Sequence, residues 1–187
     1  MTTTSPLNPI PFTKVDLFKI ESFKVSIKEW KTEGDRIMDM IPFDDPECST
    51  VEPHISYTDF FNQRKTAYKD SFLEIINPYL NEFLSWSEYK FSGVSGLWCQ
   101  KYDARDFHIP HTHGPIGYSC VFYARLKESH KGTLFFSPFA NHLGINPMLN
   151  SILVEEGDLI IFPSNLMHMA PPHDSEDERV IISFNLV

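Results

Sequence analysis

The sequence predicts an α+β domain whose functional part is an antiparallel sandwich or barrel, with helices covering one outer face. Three observations predict it. The spacing of apolar residues changes near residue 90 from steps of three and four to alternation. Six short runs of β-forming residues follow, each bounded by turn residues. Aromatic residues make up 14% of the chain, dominated by 16 Phe, which suits a β-rich, aromatic-lined interior.

The elements follow in order. From Ser22 to about Ile41 the residues Val25, Trp30, Ile37, Met38 and Ile41 fit an amphipathic helix, loosened around Gly34. A longer helix is expected over Thr58–Trp86, where Phe61, Tyr68, Phe72, Ile76, Leu80 and Phe83 recur at helical spacing. Asp59 or Thr58 would cap its start, and Pro78 should kink or split it. The expected strands are Leu97–Tyr102, Gly117–Leu126, Gly132–Phe136, Ile152–Glu155, Asp158–Phe162 and Arg179–Val187. With 187 residues and no linker or repeat, the chain reads as a single domain, 1–187. Residues 1–92 form a mainly helical covering segment and 93–187 the β core carrying the site.

Charge and cysteine content narrow the function classes. The net charge of −9 disfavours nucleic acid as a partner. Three cysteines, Cys48, Cys99 and Cys120, form neither a disulfide framework nor a C-x-x-C knuckle, which points to a reducing, cytoplasmic setting. The N-terminal MTTTSPLNPIPF has no basic and apolar signal pattern, and no apolar run is long enough to span a membrane, so neither export nor a membrane is expected.

The histidines are the chemically telling feature. In an extended H-T-H segment His111 and His113 point to one side and His108 to the other. Two imidazoles on one face can share a metal. A third ligand, His168 in FPSNLMH, follows an apolar strand that would return over the pair, and three nitrogens with open positions suit a catalytic metal. His54, His130, His142 and His173 are expected to be packed or hydrogen-bonded structural residues. In the last strand, RVIISFNLV, alternation puts Arg179, Ile181, Ser183 and Asn185 on one wall and Val180, Ile182 and Phe184 on the other. An Arg179 guanidinium inside a barrel calls for an anionic partner, such as a carboxylate held in a bidentate fork. The alternative is pairing with the acidic loop Asp174, Glu176, Asp177 and Glu178.

Together H-T-H at 111–113, F-P-S-N-L-M-H ending at 168 and E-R-V-I-I-S-F-N from 178 resemble the 2-oxoglutarate, Fe(II)-dependent oxygenase superfamily, nearest its prolyl-hydroxylase-like branch with small phage and bacterial members. The resemblance covers about Leu97 to Val187. It implies a double-stranded β-helix of the jelly-roll or cupin type with helices packed outside. It implies His111 and His168 as iron ligands and Arg179 as the residue binding the far carboxylate of 2-oxoglutarate. Ser183 and Tyr123 would lie near that carboxylate, and Tyr102 would line the pocket near the metal. The implied cofactors are Fe(II) and 2-oxoglutarate, with ascorbate as a supporting reductant. The implied reaction consumes O2 and hydroxylates a prolyl or other amino-acid side chain, on a peptide or small molecule, releasing succinate and CO2. The sequence departs from the family pattern at one place: the position of the usual carboxylate ligand is His113. Either the centre uses three histidines, or a carboxylate from elsewhere, such as Asp103 or Asp106, completes it. Substrate entry is expected near Asp103–Ile109 and the connection Ser137–Asn150. Two other readings remain: a cupin-type dioxygenase using three histidines without a keto acid, and a non-catalytic jelly-roll binding module.

Overall fold

The structure is a computed structural model that describes residues 20–48, 53–62, 64–87, 91–139, 144, 148–149 and 151–187. In chain order its elements are β1 (Phe23–Ser26), α1 (Trp30–Met38), β2 (Tyr57–Thr58), α2 (Ala67–Trp86), β3 (Val94–Tyr102), β4 (His108–His111) and β5 (Tyr118–Arg125). There follow β6 (Leu134–Phe136), β7 (Met148–Leu149), β8 (Asp158–Pro163), β9 (His168–Ala170) and β10 (Arg179–Leu186).

The strands form two antiparallel sheets. The larger runs β1-β8-β5-β10-β3-β2 and the smaller β4-β9-β6-β7, as the expected jelly roll requires. Alternation along the central strands sorts the large sheet into two apolar faces. One face, with Cys99, Cys120, Phe122, Leu159, Ile161, Val180, Ile182 and Phe184, packs against Trp30, Ile37, Tyr68, Phe72, Ile76 and Leu80 of the helices. The other, with Tyr102, Val121, Tyr123, Ile160, Phe162 and Ile181, packs against Phe135 of β6 and Leu166. The helices therefore cover the outside, and the space between the sheets is left for a site.

Several expectations are corrected. The segment expected to begin a helix at Ser22 starts instead as edge strand β1, pairing Phe23 with Ile161 and Val25 with Leu159. Its alternating Phe and Val give more by joining the sheet than by one weak helical turn. Helix α1 is continuous through Gly34: a Cβ there would lie 2.9 Å from Trp30 Cε2, so the glycine makes room for the indole rather than loosening the helix. The indole N–H donates to the Ala124 carbonyl at 3.1 Å. Helix α2 starts at Ala67, not Thr58, and stays one helix through Pro78. The run Ile152–Glu155 forms no strand, while short β1, β2, β4, β7 and β9, which lack long β-forming runs, do form. The connection 137–150 lies largely outside the described residues.

Asp59 does not cap α2. Its carboxylate, 2% exposed, accepts from the Tyr68 hydroxyl at 2.7 Å and the Cys99 backbone N–H at 2.7 Å, and pairs with Lys69 at 3.0 Å. It thus ties α2 to β3. Removing it strands a largely buried ammonium and a buried N–H. Asp59→Ala should destabilise the fold by about 3–5 kcal/mol, read as a lowered urea midpoint; an unchanged midpoint would show that the tie contributes nothing.

Candidate metal centre and its cleft

Strands β4 and β9 pair so that His111 lies opposite His168. His113 lies two residues beyond β4, where its backbone N–H donates to the Ser164 carbonyl at 2.9 Å and holds the chain against the turn between β8 and β9. The three rings stand together, with centroids 5.1 Å (His111–His113), 4.3 Å (His111–His168) and 5.0 Å (His113–His168) apart. One ligand atom from each lies within 4.8 Å of the others.

The hydrogen-bond partners set the tautomers. His111 Nδ1 lies 2.8 Å from the Ile109 carbonyl and His168 Nδ1 2.9 Å from the Leu166 carbonyl; a carbonyl only accepts, so both rings donate from Nδ1. His113 Nδ1 lies 2.7 Å from Asn185 Oδ1, which also accepts from Ser119 Oγ at 3.1 Å, so His113 too donates from Nδ1. Each neutral ring is left with a bare Nε2. His111 and His113 bring these two atoms to 3.1 Å, lone pair against lone pair, which is no hydrogen bond between neutral imidazoles. Protonating a ring is opposed: burial, then the neighbouring His111, lowers the pKa of His168 to about 3, and burial lowers those of His111 and His113. A bound cation is what such a donor set accommodates.

His108 departs from expectation. Between His108, paired with Ala170, and His111, paired with His168, β4 carries one more residue than β9. This bulge resets the alternation, so His108 comes to the same side, its ring 4.0 Å from His111. Burial, then the adjacent His111 and His113, lowers its pKa to about 4.

Arg179 opens β10 and is 2% exposed. Its Nη1 donates to the Lys131 carbonyl at 3.1 Å and its guanidinium lies 4.5 Å above the Tyr102 ring, yet buried Nε and Nη2 have no hydrogen-bond partner. The acidic loop does not answer it through Glu178, which pairs with Arg125 and lies 3.8 Å from Lys101. Two idle donors on a buried cation are a standing cost that an anionic ligand would remove. Ser183 is buried further along β10, and Tyr123 is buried beside Arg179, its hydroxyl 2.9 Å from Thr133 Oγ1 and accepting the Thr133 N–H at 3.0 Å. Asp103 and Asp106 share the single Ser56 Oγ proton and do not join the three imidazoles. His130 and His173 lie together with tilted rings, centroids 4.3 Å apart, His54 stacks on Phe107, and His142 lies outside the described residues.

A cleft of about 350 Å³ opens on the imidazoles, lined by Phe60, Phe61, Trp98, Thr58, Gln100 and Ile109 together with His108, His111, His113 and Asn185. No Asp, Glu, Lys or Arg is among its described lining residues. Sequence reasoning missed the aromatic wall of Phe60, Phe61 and Trp98, because it comes from the loop after β2 and from β3, far from the histidine motif. Asn185 was placed on the Arg179 face by alternation, but its contact with His113, 72 residues away, carries no local signal.

Comparisons with known proteins bear on the fold and the family of the β core. Residues 96–185 match the family model described as "Putative 2OG-Fe(II) oxygenase". No curated protein matches the chain. Among solved structures, the chain is similar to the viral collagen prolyl hydroxylase of Paramecium bursaria Chlorella virus-1 in its 2OG complex (TM-score 0.59, 14% identity, covering 88% of this chain and 94% of that one). It is also similar to a prolyl hydroxylase from Trichoplax adhaerens in complex with a hypoxia inducible factor peptide fragment (0.60, 12%, 88% and 82%). A third is HygX from Streptomyces hygroscopicus with nickel, 2-oxoglutarate and hygromycin B bound (0.61, 11%, 89% and 82%). At these identities the likeness is one of fold.

The neutral histidines have a consequence for pH. Unfolded histidines titrate near about 6.5, whereas folded His168 and His108 titrate at about 3 and about 4. The unfolded chain therefore takes up protons that the metal-free folded protein refuses, so the stability present above about pH 6.5 is lost as pH falls toward 4. Urea midpoints at about pH 7.5 and about pH 4.5 should show a smaller acid loss in His168→Phe than in wild type; equal losses would contradict a buried, neutral His168.

Proposed function

We propose, from the match of residues 96–185 to the 2OG-Fe(II) oxygenase model, that this chain is an oxygenase using Fe(II) and 2-oxoglutarate and that His111, His113 and His168 hold the iron. Arg179 then binds the far carboxylate of 2-oxoglutarate. The reaction is hydroxylation of a prolyl or other amino-acid side chain, on a peptide or small molecule, in the cleft above the histidines. The observation that carries this reading is the convergence of three imidazoles, each with its Nδ1 proton engaged, together with a buried guanidinium that has two unused donors on the interior face of β10.

The residues fit both groups. Three imidazoles locked with Nδ1 protonated offer nitrogen ligands at no cost of deprotonation. Nε and Nη2 of Arg179 offer the fork that a carboxylate takes. Ser183 and Tyr123 line the same interior wall, and Tyr102 supports the guanidinium from beneath. When bound, iron and 2-oxoglutarate together supply O2 activation: one oxygen atom enters succinate as CO2 leaves, and the other enters the substrate C–H bond. The chain's own part is binding and exclusion of water. Three neutral ligands leave the metal its full double charge, which the keto-acid dianion offsets, so metal and keto acid should strengthen each other's binding. The walls of Phe60, Phe61, Trp98 and Ile109 suit an uncharged, largely apolar group.

The testing experiment is an anaerobic titration with Fe(II) and then 2-oxoglutarate, watching for the weak visible charge-transfer band of a metal-chelated keto acid. The band should form with wild type and be lost in His111→Ala and His168→Ala. Iron binding without the band would favour the three-histidine dioxygenase that uses no keto acid, and no iron binding would favour the binding module.

Two variants test individual roles. Arg179→Ala removes a charge-assisted bidentate contact of about 1.5–3 kcal/mol, so the 2-oxoglutarate concentration for half-maximal band should rise about 10- to 150-fold; unchanged affinity would remove Arg179 from the keto-acid site. His113→Asp should retain iron and His113→Ala should weaken it, measured as bound metal after desalting. Equal metal in all three proteins would place the third ligand elsewhere.

A further inference from the structure

The three histidines are not held in the same way. His111 and His168 each donate from Nδ1 to the carbonyl two residues before them, a contact built from local backbone that no side-chain change removes. His113 has no such partner. Its Nδ1 reaches Asn185 Oδ1 at 2.7 Å, a side chain near the end of β10.

A small buried network fixes Asn185 in turn. Ser119 Oγ lies 3.1 Å from Asn185 Oδ1 and 3.1 Å from Ser164 Oγ. The Ser119 hydroxyl is the donor in both contacts, its one proton shared between the amide oxygen and Ser164. Ser119 and Ser164 are 0% and 3% exposed, so water does not readily replace either. The Ser164 carbonyl accepts the backbone N–H of His113, so this network grips His113 at both ring and backbone. With Oδ1 accepting from both sides, the His113 proton has to sit on Nδ1. Without an acceptor there, nothing keeps the proton off Nε2, and a protonated Nε2 cannot bind a metal.

We propose that Asn185 is a positioning residue for the third metal ligand: its amide oxygen holds the His113 proton on Nδ1 and thereby presents Nε2 to the metal. This rests on the reading of His113 as a ligand given above. Asn185 acts only through His113. As a neutral amide it orients the ring without adding charge, so the centre keeps its all-neutral donor set.

The test uses metal alone, with Co(II) as a spectroscopic probe, and needs neither keto acid nor substrate. Asn185→Leu, similar in size but with no acceptor, should weaken Co(II) binding about 10- to 100-fold and move the visible ligand-field spectrum toward that of His113→Ala. Asn185→Asp keeps the acceptor and should bind close to wild type. In a His113→Ala background, Asn185→Leu should cost less than about twofold, because the residue it serves is gone. Imidazole nitrogen shifts of the metal-free protein, with ¹⁵N-labelled histidine, should show His113 as the Nδ1–H tautomer in wild type and a mixed or Nε2–H form in Asn185→Leu. If Asn185→Leu fails to fold, the same shifts in Ser119→Ala, which loosens the amide, should move in that direction. Wild-type Co(II) affinity in Asn185→Leu, an undiminished loss in the His113→Ala background, or an unchanged His113 tautomer would each overturn the proposal. A wild type that binds no Co(II) would instead overturn the metal reading itself.

Discussion

Strand β10 is the constraint on which the rest of the structure depends. It is hydrogen-bonded on both sides, to β3 along one edge and to β5 along the other, and its strict alternation divides the protein. Val180, Ile182 and Phe184 hold the sheet to the helices, whereas Arg179, Ile181, Ser183 and Asn185 form an interior wall. A slip of one residue in its register would put a guanidinium against the helix-facing core and three apolar chains into the site. The fold and the chemistry are thus set by the same ladder of backbone hydrogen bonds. One end of that wall carries the buried cation and the other the amide that meets the histidines, so β10 spans the interior from Arg179 to the centre.

The site itself is organised around unsatisfied atoms rather than strong contacts. Two bare imidazole nitrogens face each other at 3.1 Å, and a guanidinium keeps two donors idle in the interior. Each arrangement is unfavourable in the ligand-free chain, and the packed elements around it maintain both. The stabilising contributions come from elsewhere: the aromatic layer of Trp30, Phe72 and Phe122 under the helices, and the Asp59 tie between α2 and β3. These contacts lie on the helix-facing side, and the ligand-hungry groups on the inner one.

A histidine at position 113 fits a consistent electrostatic scheme. Every donor in the group is neutral, the residue hydrogen-bonded to His113 is an amide rather than an acid, and no Asp, Glu, Lys or Arg lines the described cleft. The nearest acidic candidates in sequence, Asp103 and Asp106, are held by Ser56. Negative charge at such a centre has to come from a ligand, and Arg179, with two unused donors, is a buried cation on the same interior wall.

Much of this was legible in the sequence, and what was not has a common cause. Local periodicity determined the β core, the same-side placement of His111 and His113, and the two faces of RVIISFNLV, because alternation and helical spacing depend only on neighbours in the chain. Composition likewise pointed to an aromatic interior. Periodicity failed where tertiary pairing overrode it: Phe23–Ser26 joined the sheet instead of a helix, Asp59 became an interior anchor instead of a cap, and a one-residue bulge opposite β9 turned His108 toward the other histidines. Only the tertiary structure decided that Asn185 meets His113, that Phe60, Phe61 and Trp98 wall the cleft, and that the Arg179 donors stay unused. Those facts depend on which strands pair and in what register, a property of the whole set of long-range contacts that no stretch of sequence carries by itself.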